Sequence, residues 1–138
     1  MIVIDSSAFT KFLLREEGWE KIIQYLDPDM DPHTIDLLLI ETSNAIWKYC
    51  RLYGALKVEQ ALRLFEYMLK LFREGVINLE ESSKYLKGGL EMSLEYNSSI
   101  YDALFIVQAR DNDAVLVTSD RGQEEIARKL GVDSIVIP

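Results

Sequence analysis

The sequence carries four acids whose surroundings suggest chemistry: Asp5, Glu41, Asp102 and Asp120. Carboxylate oxygens are the ligands that hard divalent cations prefer, so an all-oxygen set favours Mg²⁺ or Mn²⁺ over zinc. Such cations would orient a phosphodiester, activate a water and offset the charge that builds up on a leaving oxygen. Whether the four acids can act together depends on where the fold places them.

The segments around these acids alternate between strands and helices. Apolar runs predict strands at Ile2–Ile4, Pro32–Asp36, Val76–Leu79, Ala114–Thr118 and Ser134–Ile137. Helical spacing predicts helices at Ser7–Leu14, Gly18–Leu26, Leu37–Gly54, Leu56–Arg73, Ser82–Tyr96, Ile100–Arg110 and Gly122–Leu130. Apolar strands separated by helices predict an α/β fold, with a central and mainly parallel sheet covered by helices on both faces.

This topology brings the four acids to one edge of the sheet. Asp5 ends the first strand and Asp120 follows a later strand by two residues, so both lie at the carboxyl edge, where such sheets bind ligands. The connecting helices run back antiparallel to the strands and therefore begin at that edge. Glu41 lies in an early turn of one helix and Asp102 in the first turn of another, which places them at the same rim.

Each acid on its own also has a structural explanation. Asp5 can cap the helix that follows it, Asp102 suits a first helical turn, and Asp120 with Gln123 matches a capping box. Glu41 is harder to explain in this way, because apolar residues flank it and a buried carboxylate is costly without a cation or donors. Capping does not account for the convergence of all four acids, and the set as a whole predicts a metal site.

Composition narrows the protein class. The 138 residues carry a net charge of −8. This argues against nucleic-acid binding over the whole surface, because phosphate contacts come from Lys and Arg. The single cysteine, Cys50, cannot form an internal disulfide, which fits a reducing compartment. No apolar run is long enough to span a bilayer and no start typical of a signal peptide is present, so we expect a cytoplasmic protein without a membrane partner.

Four stretches occur in a fixed order along the chain: IVIDSSAF, ETSNAIW, SIYDALFIVQAR and LVTSDRG. Together they resemble the PIN domain family, and in particular the single-domain ribonucleases that serve as toxins of VapBC-type toxin–antitoxin pairs. The resemblance covers essentially the whole chain and implies one PIN-like domain over residues 1–138, folded as a three-layer α/β/α sandwich. It also implies a divalent-metal-dependent endoribonuclease that hydrolyses RNA to 5′-phosphate and 3′-hydroxyl products.

The resemblance assigns roles to the acids by position. Asp5 and Asp102 would hold Mg²⁺ or Mn²⁺ directly, Asp120 would complete the coordination or a second site, and Glu41 would orient the water or a metal-bound ligand. Asn44 and Thr118 match supporting positions of the family, and Ser6 is a further supporting candidate that could equally cap a helix. Four further residues near the rim are candidates for RNA contact: Lys11, Arg15, Tyr101 and Arg121. A solvated charge or a core tyrosine is the simpler interpretation of each.

Two features depart from the common pattern of the family. The segment PHTIDLLLIE places Asp36 where a smoother apolar run is usual. Gly88 and Gly89 weaken the helix predicted ahead of Asp102. Neither departure touches the four acids.

Partner surfaces also follow from the resemblance, which implies a cognate antitoxin and a homodimer. The stripe Leu62, Phe65, Leu69 and Phe72 recurs at helical spacing, and plain core packing is its simplest interpretation. If part of it is exposed together with Trp47, it could form a dimer face or an antitoxin groove.

Three other functions compete with the nuclease. A phosphoacceptor signalling domain would need a lysine late in the chain at the rim, and the last strand, SIVIP, has none. A haloacid-dehalogenase-type phosphatase would need an acid two residues after Asp5, where Ser7 stands. A catalytically inactive PIN-like scaffold acting through protein partners has no use for crowded like charges, which disfavour one another.

Overall fold

The computed structural model describes residues 1–138 and contains one five-stranded sheet. Its strands are β1 (Ile2–Ile4), β2 (Pro32–Ile35), β3 (Asn78–Glu80), β4 (Val115–Thr118) and β5 (Ser134–Val136). They lie in the order β3-β2-β1-β4-β5, and every neighbouring pair is parallel. The sheet is therefore wholly parallel, as the continuous apolar strands predict.

Six α-helices connect the strands: α1 (Ser6–Leu13), α2 (Leu37–Trp47), α3 (Val58–Arg73), α4 (Leu86–Tyr96), α5 (Ile100–Asp111) and α6 (Arg121–Lys129). The chain moves from β1 outward to β2 and β3, and then returns to β4 and β5 on the other side of β1. Right-handed crossovers in such a sheet place α1–α3 on one face and α4–α6 on the other. The predicted α/β architecture with helices on both faces is confirmed.

Three predicted helices differ in detail from those observed. Residues Trp19–Leu26 form a 3₁₀ helix rather than an α-helix, with Ile22 as its one buried residue. The helix predicted to run to Gly54 leaves α geometry after Trp47 and continues as a π-helical segment, Lys48–Leu52. The segment predicted as one helix over Ser82–Tyr96 begins with a 3₁₀ turn, Ser82–Tyr85, before α4.

The core surrounds the central strands. Val3 and Ile4 of β1 are completely buried, and so are Leu116 and Val117 of β4. From α5 the whole run Ala103–Ala109 is buried, which explains why this helix is apolar all round rather than amphipathic. The elements that carry Asp5, Asp102 and Asp120 are thus the most deeply packed in the molecule, and they hold the carboxyl rim in place.

The predicted helical stripe on α3 is only partly a core feature. Phe65, Leu69 and Phe72 are half-buried and pack against the core, and the Phe72 ring lies 5.8 Å from the Phe9 ring of α1. Leu62, however, is 60% exposed, so the expectation that the whole stripe is packed inside is wrong at this residue. The fully buried position on α3 is Met68, which lies outside the stripe.

Asp36, an unusual residue at its position, joins two segments of the chain. Its carboxylate accepts hydrogen bonds from the Ser82 amide and from the Ser82 hydroxyl. The Ser82 hydroxyl oxygen in turn accepts the Leu37 amide at 3.0 Å, which satisfies a donor at the start of α2. The polar residue ahead of Glu41 therefore anchors the start of the helix that carries Glu41.

The paired glycines of α4 allow that helix to approach α5 closely. A β-carbon on Gly89 would lie 2.9 Å from Leu104 Cδ2 and 3.2 Å from Ile100 Cδ1, and one on Gly88 would lie 3.0 Å from Val107 Cγ1. The glycines that weaken the helix by propensity are thus required by its packing.

Gly89→Ala is expected to destabilise the fold by about 1 kcal/mol, because overpacking of about 1–3 kcal/mol outweighs a helix-propensity gain of just under about 1 kcal/mol. Urea denaturation measures the change in the free energy of unfolding. Glu91→Ala, at an exposed position of the same helix, should change it by less than about 0.5 kcal/mol. An equal effect of the two substitutions would contradict the close-approach explanation.

No helix of the chain combines the length and the apolar character that crossing a membrane requires.

Candidate active site

The site lies where the direction of chain progression across the sheet reverses. Strands β1 and β4 are neighbours, but the chain leaves β1 toward β2 and leaves β4 toward β5. Connections on opposite faces open a crevice between the carboxyl ends of two such strands, and ligands of open α/β sheets bind there. Asp5 directly follows β1 and Asp120 follows β4, so both acids stand at this crevice.

Asp5 is a buried carboxylate with one occupied and one free oxygen. Its Oδ1 accepts the Ala8 amide at 2.9 Å and the Ser7 hydroxyl at 2.7 Å, which makes Asp5 the N-cap of α1. Its Oδ2 is buried and has no hydrogen-bond partner. A buried oxygen without a partner costs free energy, which a cation or a hydrogen-bond donor at this atom would offset.

Ser7 joins the two central strands, a role that the sequence did not predict. Its hydroxyl lies 3.2 Å from the Thr118 hydroxyl of β4 and its oxygen accepts the Ser119 amide at 2.8 Å, while it also donates to Asp5. The Thr118 oxygen accepts the Asp120 amide at 3.0 Å. Ser7 thus ties the backbone that carries Asp5 to the backbone that carries Asp120. A small hydroxyl residue in the first turn after a strand-ending acid was the available signal.

Glu41 reaches the rim from α2, and Ser6 holds it there. The Ser6 hydroxyl donates to Glu41 Oε1 at 2.8 Å, across 35 residues of sequence. Burial raises the pKa of Glu41, the Ser6 hydrogen bond opposes that rise, and the charge of Asp102 adds to it. Ser6 therefore supports Glu41 rather than capping a helix.

Asp102 and Asp120 stand at the starts of α5 and α6. Asp120 accepts the Gly122 and Gln123 amides at 2.8 and 3.3 Å through Oδ1, as the N-cap of α6. The reciprocal half of the predicted capping box is absent, because the Gln123 side chain donates to the Asp102 carbonyl at 3.3 Å instead. This bond joins the helix that carries Asp102 to the helix that carries Asp120.

Burial and neighbouring negative charge raise the pKa values of three of the four carboxylates: Asp5, Glu41 and Asp102. Burial raises the pKa of Asp5 to about 6, the nearby Thr118 hydroxyl and the hydrogen bonds from Ala8 and Ser7 oppose this rise, and the Asp120 charge adds to it. Burial also raises the pKa of Asp102, again reinforced by Asp120. With the Asp102–Glu41 coupling, the charge interactions connect all four acids, and none of the four forms an ion pair with Lys, Arg or His.

Glu80, at the end of β3, shows how this chain satisfies an acid that needs no cation. It accepts hydrogen bonds from the Tyr85 hydroxyl at 2.6 Å, the Gln108 amide at 2.8 Å and the Lys84 ammonium at 3.1 Å. Burial alone would raise its pKa, but these donors lower the pKa of Glu80 to about 2. No Lys donates to any acid of the rim, and the pKa values of Asp5, Glu41 and Asp102 move in the opposite direction.

The rim fits a divalent cation in its chemistry, although its oxygens do not form a closed cage. No group of three or more Asp, Glu, His or Cys side chains stands close enough together to hold a metal ion as the chain is arranged. Mg²⁺ keeps several of its waters and takes only one or two carboxylates directly, so it does not need such a cage. The unpartnered Asp5 Oδ2 and the raised pKa values of Asp5 and Asp102 are the features that a cation would relieve.

The other predicted residues divide between the rim and more distant surfaces. Thr118 belongs to the rim through Ser7 and Asp120, whereas Asn44 is exposed on α2 and forms no hydrogen bond with an acid. Tyr101 is 57% exposed beside Asp102, and Arg121 is exposed at the first position of α6.

Lys11 and Arg15 are occupied elsewhere. The Lys11 ammonium donates to the Glu17 carbonyl at 3.0 Å, and the Arg15 guanidinium lies 3.8 Å from the centroid of the Trp19 ring. Neither side chain forms an ion pair with any of the four acids. Their predicted contact with RNA stays a prediction.

Comparison with known proteins defines the family. The sequence model of the PIN domain matches residues 2–129. A protein of Pyrobaculum aerophilum named Ribonuclease VapC3 is 27% identical over 120 residues, which are 87% of this chain and 89% of that protein.

Solved structures share the fold. PAE2754 from Pyrobaculum aerophilum superposes with a TM-score of 0.70 at 22% identity, over 96% of this chain and 87% of that one. FitAcB from Neisseria gonorrhoeae gives a TM-score of 0.63 at 18% identity, over 98% and 96% of the two chains. A structure of FitAB bound to an IR36 DNA fragment gives the same TM-score and identity, over 99% and 94%.

The chain belongs to the PIN domain family. The predicted family is therefore confirmed, and the predicted likeness to VapC-type proteins agrees with the name of the matched relative.

Proposed function

We propose that this protein is a divalent-metal-dependent endoribonuclease of the VapC type, acting at the rim of Asp5, Glu41, Asp102 and Asp120. The observation that carries the proposal is the series of pairwise charge interactions that links four carboxylates without a basic partner, one of them with a buried free oxygen, in a PIN domain. The relative named Ribonuclease VapC3 supports RNA as the substrate.

The four acids would have different roles in hydrolysis. Asp5 and Asp102 would hold Mg²⁺ or Mn²⁺, with Asp120 completing the set, and the bound cation would supply charge stabilisation on the phosphate and a more acidic water. Glu41 has one oxygen held by Ser6 and a pKa raised by burial, which suits a base that orients and deprotonates the attacking water. The Ser7 and Gln123 hydrogen bonds fix the relative positions of the metal-holding acids.

Removal of the cation tests this proposal. We expect purified protein to cleave single-stranded RNA with Mg²⁺ or Mn²⁺, and excess chelator to abolish cleavage reversibly. The products should carry 5′-phosphates and 3′-hydroxyls, which end-labelling resolves. Cleavage that persists in chelator, or 2′,3′-cyclic products, would overturn the metal-dependent mechanism. An inactive scaffold would show no cleavage under either condition and no heat of Mn²⁺ binding in calorimetry.

Partner proteins are the second part of the proposal: a cognate antitoxin and a second copy of this chain. Leu86, Leu90 and Leu94 recur on one side of α4 and are each more than half exposed. Leu62 and Trp47 are also at least half exposed. Apolar residues spaced along a helix in this way are typical of protein interfaces. Analytical ultracentrifugation of the purified chain tests the homodimer.

A further inference from the structure

A groove outside the acidic rim shares one wall with it. The groove lies between α2 and the first turn of α5 and is lined by Leu37, Ile40, Glu41, Asn44, Ala45, Lys48 and Tyr101. We refer to it as the α2–α5 groove. Its volume of about 440 Å³ lies in the range of small-molecule sites. Because Glu41 belongs to both, an occupant of the groove would lie directly beside the reacting phosphate.

The groove exposes an aromatic ring and an aliphatic side chain that nothing in the chain covers. Tyr101 is 57% exposed and Ile40 is 70% exposed, and both face the same volume. Every close aromatic pair in the protein involves other residues, so the Tyr101 ring has no stacking partner. A planar apolar group is the occupant that such a pair of side chains accommodates.

Two polar side chains of the groove, Asn44 and Lys48, are also without a hydrogen-bond partner, whereas Glu41 accepts the Ser6 hydroxyl. Neither the Asn44 amide nor the Lys48 ammonium takes part in a side-chain hydrogen bond, and Lys48 forms no ion pair. Lys48 is the only cation among the lining residues, in a chain with a net charge of −8. The groove thus combines one positive charge, one amide with both donor and acceptor atoms, one aromatic face and, where it meets the rim, the Glu41 carboxylate.

We infer that the α2–α5 groove receives an unpaired base of the substrate RNA, that of a nucleotide next to the scissile phosphate. The base would stack on Tyr101, the Asn44 amide would hydrogen-bond its edge, and Lys48 would contact the adjoining phosphate. The inference rests on the proposed ribonuclease function and extends it by a specificity site. A base in a duplex cannot leave its stack at low cost, so the groove restricts the enzyme to single-stranded or looped RNA.

Binding measured without cleavage tests the groove directly. A short fluorescent single-stranded RNA is titrated with the Asp5→Asn protein in Mg²⁺, and anisotropy gives the dissociation constant. Tyr101→Ala should weaken binding by roughly 5- to 100-fold, the effect of losing one stacked base, whereas Tyr101→Phe should retain it. The matched control is Tyr67→Ala on α3, a tyrosine 42% exposed and outside the groove, which should bind as the parent does.

An abasic substrate separates stacking from general damage. RNA that lacks the base next to the cleavage point should lose about as much affinity as Tyr101→Ala causes, and the two changes together should cost little more than either alone. Lys48→Met should weaken binding and lower the slope of affinity against salt by about one. Asn44→Ala should change the preference among bases at the same nucleotide.

The outcomes distinguish this inference from the proposed function. If the wild-type protein cleaves RNA while Tyr101→Ala and the abasic substrate bind normally, the inference is wrong and the proposed function stands. Suppose that the Tyr101→Ala variant binds RNA normally and the wild-type protein binds the abasic RNA normally. If Tyr101→Ala instead loses affinity for the purified cognate protein partner, the groove is a protein-docking site. If the wild-type protein neither binds nor cleaves RNA, both the function and the groove assignment fail.

Discussion

Asp5→Asn is expected to lower the rate of RNA cleavage by about 10³-fold at saturating Mg²⁺. The substitution removes the charge at the unpartnered Oδ2 but preserves an oxygen that can accept the Ala8 amide and the Ser7 hydroxyl. Charge stabilisation by a bound cation is worth several kcal/mol, and each ~1.4 kcal/mol lost from the barrier is a tenfold loss of rate. The measurement is single-turnover cleavage of end-labelled RNA.

The control makes the same change of charge at the opposite edge of the sheet. Asp133 is exposed and directly precedes β5, so it lies at the amino edge, away from the rim. Asp133→Asn should retain full activity. If Asp5→Asn kept more than about a tenth of the wild-type rate, one tenfold loss being only ~1.4 kcal/mol, Asp5 would not hold the catalytic cation.

The second large effect is a loss of stability of the metal-free protein as pH rises from about 4 to about 6, by up to about 3 kcal/mol. Burial raises the pKa of Asp5 from 3.8 to about 6. The folded state therefore binds a proton that the unfolded state has already released, so stability is highest below the unfolded pKa and falls through this window. Burial also raises the pKa values of Glu41 and Asp102, which adds to the same trend.

Glu80 gives the opposite trend at lower pH. Its folded pKa is lowered to about 2, so its contribution is present above the unfolded value of 4.5 and is lost as pH falls toward 2. In chelator, the protein should therefore be most stable near pH 4, where most of the Glu80 contribution is present and the loss caused by Asp5 is only beginning. Urea denaturation at a series of pH values measures the profile.

Asp5→Asn isolates the contribution of the rim to that profile. The substitution should flatten the decline between pH about 4 and 6, and should stabilise the metal-free protein at neutral pH by about 1–2 kcal/mol, less than the full amount because the new amide needs an acceptor. Mg²⁺ should restore stability to the wild type but not to the variant. If the free energy of unfolding depended on pH in the same way in both proteins, Asp5 would not be the group whose raised pKa causes the decline.

Much of the site could be anticipated from the sequence because each acid directly follows or begins a predictable element. Asp5 and Asp120 follow apolar strands, and the parallel topology alone brings strand ends to one edge. Asp102 directly precedes the apolar run Ala103–Val107 of its helix, which signals burial and therefore a fixed position. The antiparallel course of the helices then places Asp102 and Glu41 at that edge as well.

The remaining features depend on contacts across long sequence separations. The bonds of Ser7 to β4 span 111 and 112 residues, and the satisfaction of Glu80 by Gln108 spans 28. No local pattern distinguishes a hydroxyl that bridges strands from one that caps a helix. The α2–α5 groove likewise forms only where two helices meet, so neither Asn44 nor Lys48 signals it alone.

The arrangement of helix starts around the rim has a consequence for the stability of the fold in the absence of a bound cation. Helices α1, α5 and α6 all begin there, and the partial positive charge of each N-terminus, about half an elementary charge, faces the crowded acids. Peptide dipoles built into the backbone thus provide a permanent background that tempers the repulsion. The fold therefore does not depend on a bound cation to offset all of this repulsion, and under the proposed function a chain assembled without Mg²⁺ would become active when the cation binds.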